Sequence, residues 1–399
     1  MEASEVRSLS TGVNQQGVRD HNERLLMSMI QRHGALPGSD LARRAGLSPQ
    51  TVSVILRGLE QDGFLARGEP QRGRVGKPSI PMELSPEGAF SIGLKIGRRS
   101  ADLVLTDLLG QVRQQSQMTY RYPMPDPILT FLRNGLAAAK DGLGEQASGR
   151  IAGIGIAKPF EIWNWHDAIG APEQDLAIWK DLDFLGEITK FSGLPVHIEN
   201  DATAACRAEQ VYGRGREFQD FAYFFIGSFV GGGIVLNHSV FEGRHGNAGA
   251  FGSLPVSSPG GQNQQLIDAA SLYLLESRLE RAGLNPARLW EPPFDWSGLS
   301  GHVESWIADT AVHLARAALT VCAVIDFEAV LIDGAFPPDV RHKLTAATHA
   351  AMDRLDTRGI VRPRVEAGMV GRNARAIGAA TAPVFARFLL NTHGGMMGG

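Results

Sequence analysis

The segment from residue 39 to residue 84 constrains the fold of this chain most, because it predicts two short helices joined by a tight turn. Gly46 can adopt the left-handed backbone conformation that ends the first helix. Ser48 suits the N-cap of the second helix, and Pro49 suits its first position because proline lacks the N–H that would be unpaired there. The apolar residues of the second helix recur at helical spacing and predict one buried face: Val52, Ile55, Leu56 and Leu59.

The opposite face of this second helix is polar and is expected to stay exposed. The candidate DNA-binding residues are the predicted N-cap residue and four residues of this face: Ser48, Gln50, Thr51, Ser53 and Arg57. Such a face is typical of a helix-turn-helix, which inserts its second helix into the major groove. Any two short helices joined by a glycine turn would share part of this pattern. The residues that follow are therefore needed to distinguish a DNA-binding helix-turn-helix from such a helix pair.

A basic hairpin is predicted immediately after the two helices. Phe64 and Leu65 begin one strand, and the alternation of Ile80, Met82 and Leu84 indicates a returning strand. The loop between them is rich in glycine and carries three candidate phosphate-binding cations: Arg72, Arg74 and Lys77. Together these features predict a winged helix that binds double-stranded DNA, with a protein-binding winged helix as the alternative.

Composition limits the remaining possibilities. A chain of 399 residues is long enough for two or three domains, and a net charge of -3 means that DNA affinity must come from a local basic patch. Cys206 and Cys322 provide neither a disulfide framework nor metal-ligand spacing, which fits a reducing cytoplasm. We expect no membrane insertion and no signal peptide, because no apolar run has the required length or position.

The rest of the chain predicts an α/β domain that begins near Gly88. Strands are expected over 89–97, 100–112 and 151–157, with a helix over 127–141 before the last of them. A similar order of elements recurs after Val196. The sequence therefore predicts two similar lobes around a cleft.

Four motifs in this domain resemble, in the same order, those of the ROK family of repressors and sugar kinases. Residues 153–159 resemble the family's first sugar-side loop, residues 199–205 its Asn-Asp segment, and residues 226–234 its phosphate loop. Residues 247–253 lie where the family has a Glu-x-Gly-His signature. The resemblance covers residue 16 to the C-terminus and implies an α/β fold with a duplicated, actin-like (ribonuclease-H-like) body, and a homodimer or homotetramer.

The resemblance also implies the following organisation. A flexible arm is expected over 1–20 and the winged helix-turn-helix over 21–85. The first lobe is expected over 88–200, together with a C-terminal helix over 376–392, and the second lobe over 201–375.

Several departures from the family pattern argue against catalysis. Asp201 keeps the position of the kinase base, and the phosphate loop keeps its glycines: Gly227, Gly231, Gly232 and Gly233. However, Lys95 stands where the family's kinases have an Asp that positions magnesium, and Arg98 stands where they have a glycine. We therefore expect no catalytic residue, a vestigial base at Asp201 and a vestigial phosphate loop.

The family's sugar and zinc ligands are altered as well. Ala250 and Ser253 replace the Glu and His of the signature, and Ile267 stands at the expected position of a further sugar-binding Glu. The region that resembles the zinc loop has no cysteine and cannot supply about four ligands. We therefore expect no metal and no other cofactor.

What remains in the cleft suits a different ligand. The candidate ligand-binding residues are Asn200, Asp201, Ser253, Glu161, Trp163 and Trp165. Carboxylate and amide groups pair with hydroxyls and tryptophan faces suit sugar rings, although the tryptophans could equally be core residues.

These features predict a DNA-binding regulator, a repressor of carbohydrate uptake or catabolism genes, with a near-palindromic operator and a small carbohydrate-like effector. Two alternatives remain: an active ATP-dependent sugar kinase with an accessory DNA-binding head, and a regulator controlled by a protein partner with a vestigial cleft.

Overall fold

The structure is a computed structural model that describes residues 15–70, 79–166, 170–257 and 261–390. It divides into two compact units. The first, here called the winged-helix unit, contains the chain up to Gly88 together with Phe388–Leu390. The second, here called the body, contains Ala89–Arg387.

The described residues of the winged-helix unit form three α-helices and a three-stranded antiparallel sheet with strand order β1-β3-β2. Its elements are α1 (Gln15–His33), β1 (Leu36–Pro37), α2 (Gly38–Ala45), α3 (Pro49–Gln61), β2 (Leu65–Arg67) and β3 (Pro81–Leu84). Helix α1 begins inside the segment predicted as a flexible arm, and residues 1–14 of that arm lie outside the described residues.

The turn between α2 and α3 forms as the sequence predicts. Gly46 ends α2 with φ 65°, in the left-handed region that favours glycine. Ser48 caps α3, since its Oγ accepts a hydrogen bond of 3.1 Å from the backbone N–H of Thr51, and Pro49 follows at the first position. The predicted apolar face of α3 is buried: Val52, Ile55, Leu56 and Leu59.

The predicted hairpin is present as the pair β2 and β3. Leu65 lies opposite Leu84, and Met82 and Leu84 are buried. Ile80 precedes the strand and is exposed, which shortens the predicted alternation by one residue. The tip of the hairpin, with Arg72, Arg74 and Lys77, lies outside the described residues.

The winged-helix unit is completed by residues from the other end of the chain. Leu389 is buried, and its carbonyl accepts a hydrogen bond of 3.0 Å from Arg24 Nε. The N–H of Leu390 donates to Ser28 Oγ at 2.8 Å, and the rings of Phe64 and Phe388 lie 4.9 Å apart. The predicted first-lobe helix over 376–392 therefore ends in residues that belong to a different unit.

In the part of the body that the structure describes, the strands form two five-stranded sheets and one two-stranded sheet. Its strands are β4 (Phe90–Ile96), β5 (Ser100–Asp107), β6 (Val112–Thr119), β7 (Ile151–Lys158), β8 (Val196–Asn200), β9 (Phe221–Ile226), β10 (Val230–Leu236), β11 (Ser239–Phe241), β12 (Pro255–Ser257), β13 (Asn263–Gln265), β14 (Ala329–Gly334) and β15 (Arg364–Ala367). The first sheet has the order β6-β5-β4-β7-β8 and the second the order β11-β10-β9-β14-β15.

The two sheets have the same topology, which confirms the duplicated α/β fold. In each, three strands form an antiparallel meander and two more add in parallel to the first strand of that meander. The repeat begins at β9 rather than after Val196, because β8 pairs with β7 and completes the first sheet.

Helices cover these sheets and bury an apolar core beside each one. They are α4 (Pro125–Ser148), α5 (Glu173–Asp181), α6 (Phe184–Ser192), α7 (Asp201–Tyr212), α8 (Ile267–Ala270), α9 (Tyr273–Arg281), α10 (Ser300–Val324), α11 (Pro338–Met352) and α12 (Ala374–Phe388). Among the described residues, one helical stretch, Ser297–Val324, is long and apolar enough to cross a membrane, but more than half of it is buried inside the body.

Candidate functional site

The exposed face of α3 is the first candidate site. Gln50, Thr51, Ser53 and Arg57 are all exposed, on the side of the helix opposite the buried apolar residues. Ser48 is exposed too, but its Oγ holds the cap and lies 2.8 Å from the Thr51 hydroxyl. Ser48 therefore fixes the start of the helix, while the other four side chains are positioned to meet a ligand.

The base of the hairpin carries an ion pair beside this helix. Arg67, the last residue of β2, donates to Glu60 of α3 with an N–O distance of 2.7 Å. This hydrogen bond lowers the pKa of Glu60 and raises that of Arg67. Both side chains are exposed to solvent, so the pair orients the hairpin base and contributes little stability.

The second candidate site lies in the body, where β8 ends and α7 begins. Asn200 is the N-cap of α7, since its Oδ1 accepts hydrogen bonds from the N–H groups of Ala202 at 2.9 Å and Thr203 at 3.2 Å. The helix thus uses the amide oxygen, which leaves the NH₂ group of Asn200 to donate to a ligand. Asp201 is the first residue of the helix and has no part in the cap.

Asp201 is paired with a cation from the other end of the body. Arg375, in the first turn of α12, approaches Asp201 Oδ2 to 3.1 Å. Its guanidinium also lies 4.9 Å from the ring centre of Phe225 at the end of β9. The side chains of Asp201 and Arg375 are 20% and 15% exposed, so water screens the pair only partly.

A second buried ion pair lies beside the first. The Lys95 ammonium donates to Asp102 Oδ2 at 2.9 Å. Burial lowers the pKa of Lys95, and the neighbouring charge of Arg375 acts in the same direction. Lys95 stands where the resemblance to sugar kinases implies an Asp, so this position carries a cation that is held by Asp102.

The hairpin that resembles a phosphate loop is covered by side chains of the first lobe. Phe229, at its tip, stacks on Trp165 with ring centres 5.3 Å apart and an interplanar angle of 29°. The Arg98 guanidinium lies 5.7 Å from the Phe229 ring centre and 3.5 Å from Glu276. Burial lowers the pKa of Arg98. Trp165 and Arg98 thus join the two lobes across the hairpin.

The glycines of this motif serve packing. Gly231, Gly232 and Gly233 lie within β10, and only Gly227 lies in the turn. A Cβ on Gly231 would lie 2.8 Å from Ala202 Cβ, and one on Gly233 would lie 2.4 Å from Cys206 Cβ. Gly231 and Gly233 therefore allow α7 to pack closely on β10, whereas Gly232 makes room for the ring of Phe251.

The other predicted ligand residues make contacts within their own segments. Glu161 has φ 45° and accepts a hydrogen bond of 2.8 Å from Asn164. The ring of Trp163 lies 5.9 Å from Lys158 Nζ. Ser253 is exposed in a short turn that follows Ala250. The structure brings Asn200, Asp201 and the hairpin of Gly227 together, and Trp165 reaches the same hairpin.

Arg375 is a residue of this candidate site that the sequence analysis does not include. A cation in the first turn of a helix is unfavourable, because the N-terminal end of the helix dipole is positive. An arginine at the start of an alanine-rich helix therefore indicates an acidic partner elsewhere in the fold, and that signal was present in the sequence. The identity of the partner, Asp201, required the tertiary structure.

Metal ligands are not grouped in the described part of the chain. Across residues 15–70, 79–166, 170–257 and 261–390, no cluster of three or more His, Cys, Asp or Glu side chains is placed to hold a metal ion. Cys206 and Cys322 are both buried, and burial raises the pKa of each thiol. Residues 258–260, within the region compared with the zinc loop, lie outside the described residues.

Comparisons with known proteins agree with both units. Residues 91–266 match the ROK family and residues 21–71 match the MarR family. The protein y4fQ of Sinorhizobium fredii is 24% identical over 92% of this chain and 91% of its own length. The xylose repressor of Bacillus subtilis is 23% identical over 61% of this chain, and the match spans only 62% of that repressor.

A solved structure extends the likeness to the whole fold. The crystal structure of a ROK family transcriptional regulator, a homologue of the E. coli MLC protein, aligns with 92% of this chain and 96% of its own. The TM-score is 0.64 at 20% sequence identity, which supports a shared fold. The body therefore resembles the ROK family over residues 91–266, and the chain shares the fold of this solved regulator.

Proposed function

We propose that the protein is a DNA-binding transcriptional regulator, and that it represses genes for carbohydrate uptake or catabolism. The observation that carries this proposal is the exposed polar face of α3, with Gln50, Thr51, Ser53 and Arg57 on a helix held by a Ser48 cap. Part of the chain is similar to a protein named as a xylose repressor, which supports the choice of genes.

The regulator acts as a cytoplasmic homodimer or homotetramer. A two-fold symmetric dimer presents two α3 helices, so its operator is a near-palindrome with half-sites one helical turn, or a multiple of it, apart. The cations of the hairpin tip, Arg72, Arg74 and Lys77, contact phosphates and supply affinity without sequence preference.

The effector is a small carbohydrate-like molecule that binds in the cleft of the body. Asn200 offers its amide N–H groups, and Asp201 offers the carboxylate oxygen that does not face Arg375. Free glucose is a poor fit, because Ala250 and Ser253 leave some of its hydroxyls without a partner, at a cost of about 1–3 kcal/mol for each buried group. A ligand that prefers one arrangement of the lobes shifts the population and so changes operator affinity.

Catalysis is not part of this proposal. A kinase base must be able to accept the proton of a sugar hydroxyl, whereas Asp201 shares a short ion pair with Arg375. Lys95 and Arg98 bring positive side chains to the region where a magnesium–nucleotide complex would lie. Purified protein should therefore phosphorylate common hexoses with ATP no faster than its Asp201→Asn variant, and robust turnover that depends on Asp201 would favour the kinase alternative.

Genome-wide footprinting tests the DNA part of the proposal. We expect protection of near-palindromic sites beside carbohydrate genes, and protection of no specific site would refute it. A thermal-shift screen of sugars, polyols and their phosphates tests the cleft, with Asp201→Ala as the control. If no compound stabilises the wild type selectively while another protein releases it from DNA, control by a protein partner replaces control by the cleft.

A further inference from the structure

One exposed side chain on α3 is apolar, although the face on which it lies is otherwise polar. Val54 is 58% exposed, whereas the other branched aliphatic residues of this fully described helix are buried: Val52, Ile55, Leu56 and Leu59. Val54 therefore contributes little to the core of the winged-helix unit. It does not favour the helix either, because a β-branched side chain loses rotamer freedom there and alanine is a better helix former. Neither burial nor helix formation accounts for a valine at this position.

Val54 lies near the centre of the exposed face of α3. Successive helical residues are about 100° apart, so Val54 is about 40° from Gln50 and about 60° from Arg57 around the helix axis. Thr51 and Ser53 lie on either side of this central strip. Val54 is also the sixth residue of the helix, and the N-terminal part of a recognition helix is the part that contacts base edges. A helix that enters the major groove by this face therefore brings Val54 to the bases.

The major groove offers a valine one kind of apolar partner. The base edges there present hydrogen-bond donors and acceptors, and the one methyl group among them is the C5-methyl of thymine. Because a valine side chain neither donates nor accepts a hydrogen bond, it would displace water from a polar edge without replacing the lost hydrogen bonds, which is unfavourable. Against a thymine methyl, by contrast, two apolar surfaces are removed from water together, which is favourable.

We propose that Val54 is a specificity-determining residue and that its methyl groups contact the C5-methyl of a thymine in each operator half-site. This inference rests on the proposed function and deepens it, since it names one base that α3 recognises and the atom by which it is recognised. Val54 discriminates by apolar packing, independently of any hydrogen bonds made by Gln50 and Arg57. Burial of one methyl group changes affinity about fourfold, and two half-sites together change it about 15-fold.

Deoxyuridine provides the direct test, because it differs from thymidine only in lacking this methyl group. The full chain is used to select duplexes from a random pool, and each thymine of the selected operator is then replaced in turn by deoxyuridine. We expect at least one thymine in each half-site where the replacement weakens wild-type binding about fourfold. At that position Val54→Ala should bind both duplexes equally. Val54→Thr, which keeps one methyl group, should retain a preference for thymine.

Two controls separate loss of this contact from loss of the fold. Val18→Ala makes the same substitution on α1, where Val18 is 48% exposed, and should keep the full effect of the deoxyuridine replacement. Val54→Ala should bind a scrambled duplex as tightly as the wild type does, because phosphate contacts supply that affinity. Hydrogen exchange of the α3 amides should likewise be no faster in Val54→Ala than in the wild type, since alanine favours the helix.

Two results would overturn the inference. One is a selected operator in which no deoxyuridine replacement changes the affinity of the wild type. The other is a replacement effect that is as large in Val54→Ala as in the wild type. Either result leaves the proposed function standing, because selective binding of the operator has then been shown. If the wild type selects no duplex from the pool, the proposed function fails and the inference fails with it.

Discussion

Replacement of Leu389 by alanine tests whether the end of the chain is a structural part of the winged-helix unit. Leu389 is 3% exposed, and its carbonyl accepts the hydrogen bond of Arg24 from α1. The substitution keeps this backbone hydrogen bond and removes only packing. Truncation of a buried leucine to alanine costs about 2–5 kcal/mol, depending on how far the surroundings collapse. We therefore expect Leu389→Ala to lower the free energy of unfolding of the winged-helix unit by this amount.

Hydrogen exchange of the intact protein measures this loss where it occurs. Because about 1.4 kcal/mol corresponds to a factor of ten, a loss of about 2 kcal/mol should speed exchange of the most protected α1 amides about 30-fold. Val18→Ala is the control, since Val18 lies on the same helix, is 48% exposed and should change stability by less than about 0.5 kcal/mol. Equal α1 exchange in Leu389→Ala and Val18→Ala would refute the assignment of Leu389 to this unit.

Three further predictions follow from single contacts. Ser48→Ala should destabilise the winged-helix unit by about 1 kcal/mol and Ser48→Asp should not, as measured by exchange in α3, because both Ser and Asp can cap. Asn200→Ala should likewise lower the unfolding free energy of the body by about 1 kcal/mol while Asn200→Asp preserves it, in denaturant titrations. Burial raises the pKa of Asp102, but Lys95, Gln117 and Arg375 outweigh it, so the folded pKa lies below 3.8. Ionised Asp102 therefore contributes its full stability above its unfolded-state pKa, and this contribution is lost as the pH falls through its folded-state pKa. The Asp102→Asn variant should consequently lose less unfolding free energy than the wild type as the pH is lowered.

The sequence predicts the winged helix well because its signals are local. The cap of α3 depends on Ser48, the turn on Gly46, and the buried face on residues that lie within one helix. Each of these is decided within a few residues, so no knowledge of the tertiary fold is needed. The hairpin was also recognised, although its strand β3 is shorter than the alternation from Ile80 suggested.

The order of the elements predicts the duplicated body, but it places the start of the recurring element order at Val196, one strand too early. A strand such as Val196–Asn200 can close one sheet or open the next, and only its pairing with β7 decides between them. The glycines of β10 illustrate the same difficulty. Their sequence resembles a loop motif, whereas in the structure they lie within a strand and allow close contacts with α7 and with Phe251.

The Asp201–Arg375 pair could not be predicted, because its members are 174 positions apart in the sequence. Neither local pattern nor composition indicates which carboxylate Arg375 meets. The contacts of Phe388–Leu390 could not be predicted for the same reason. In the sequence this segment resembles the ordinary end of a helix, whereas its hydrogen-bond partners lie on α1. Contacts between distant segments are determined by the fold and leave no periodic signal.

The measurement that tests the central claim most directly is the ratio of affinities for a selected operator and a scrambled duplex at one salt concentration. We predict that the wild-type protein prefers the operator by at least about 10³-fold. Gln50→Ala with Thr51→Ala should reduce this ratio about 5- to 150-fold for each lost base contact, which corresponds to about 1–3 kcal/mol, while binding to the scrambled duplex stays unchanged. Equal affinity of the wild type for both duplexes, or an unchanged ratio in the double variant, would contradict the assignment of α3 as the recognition helix.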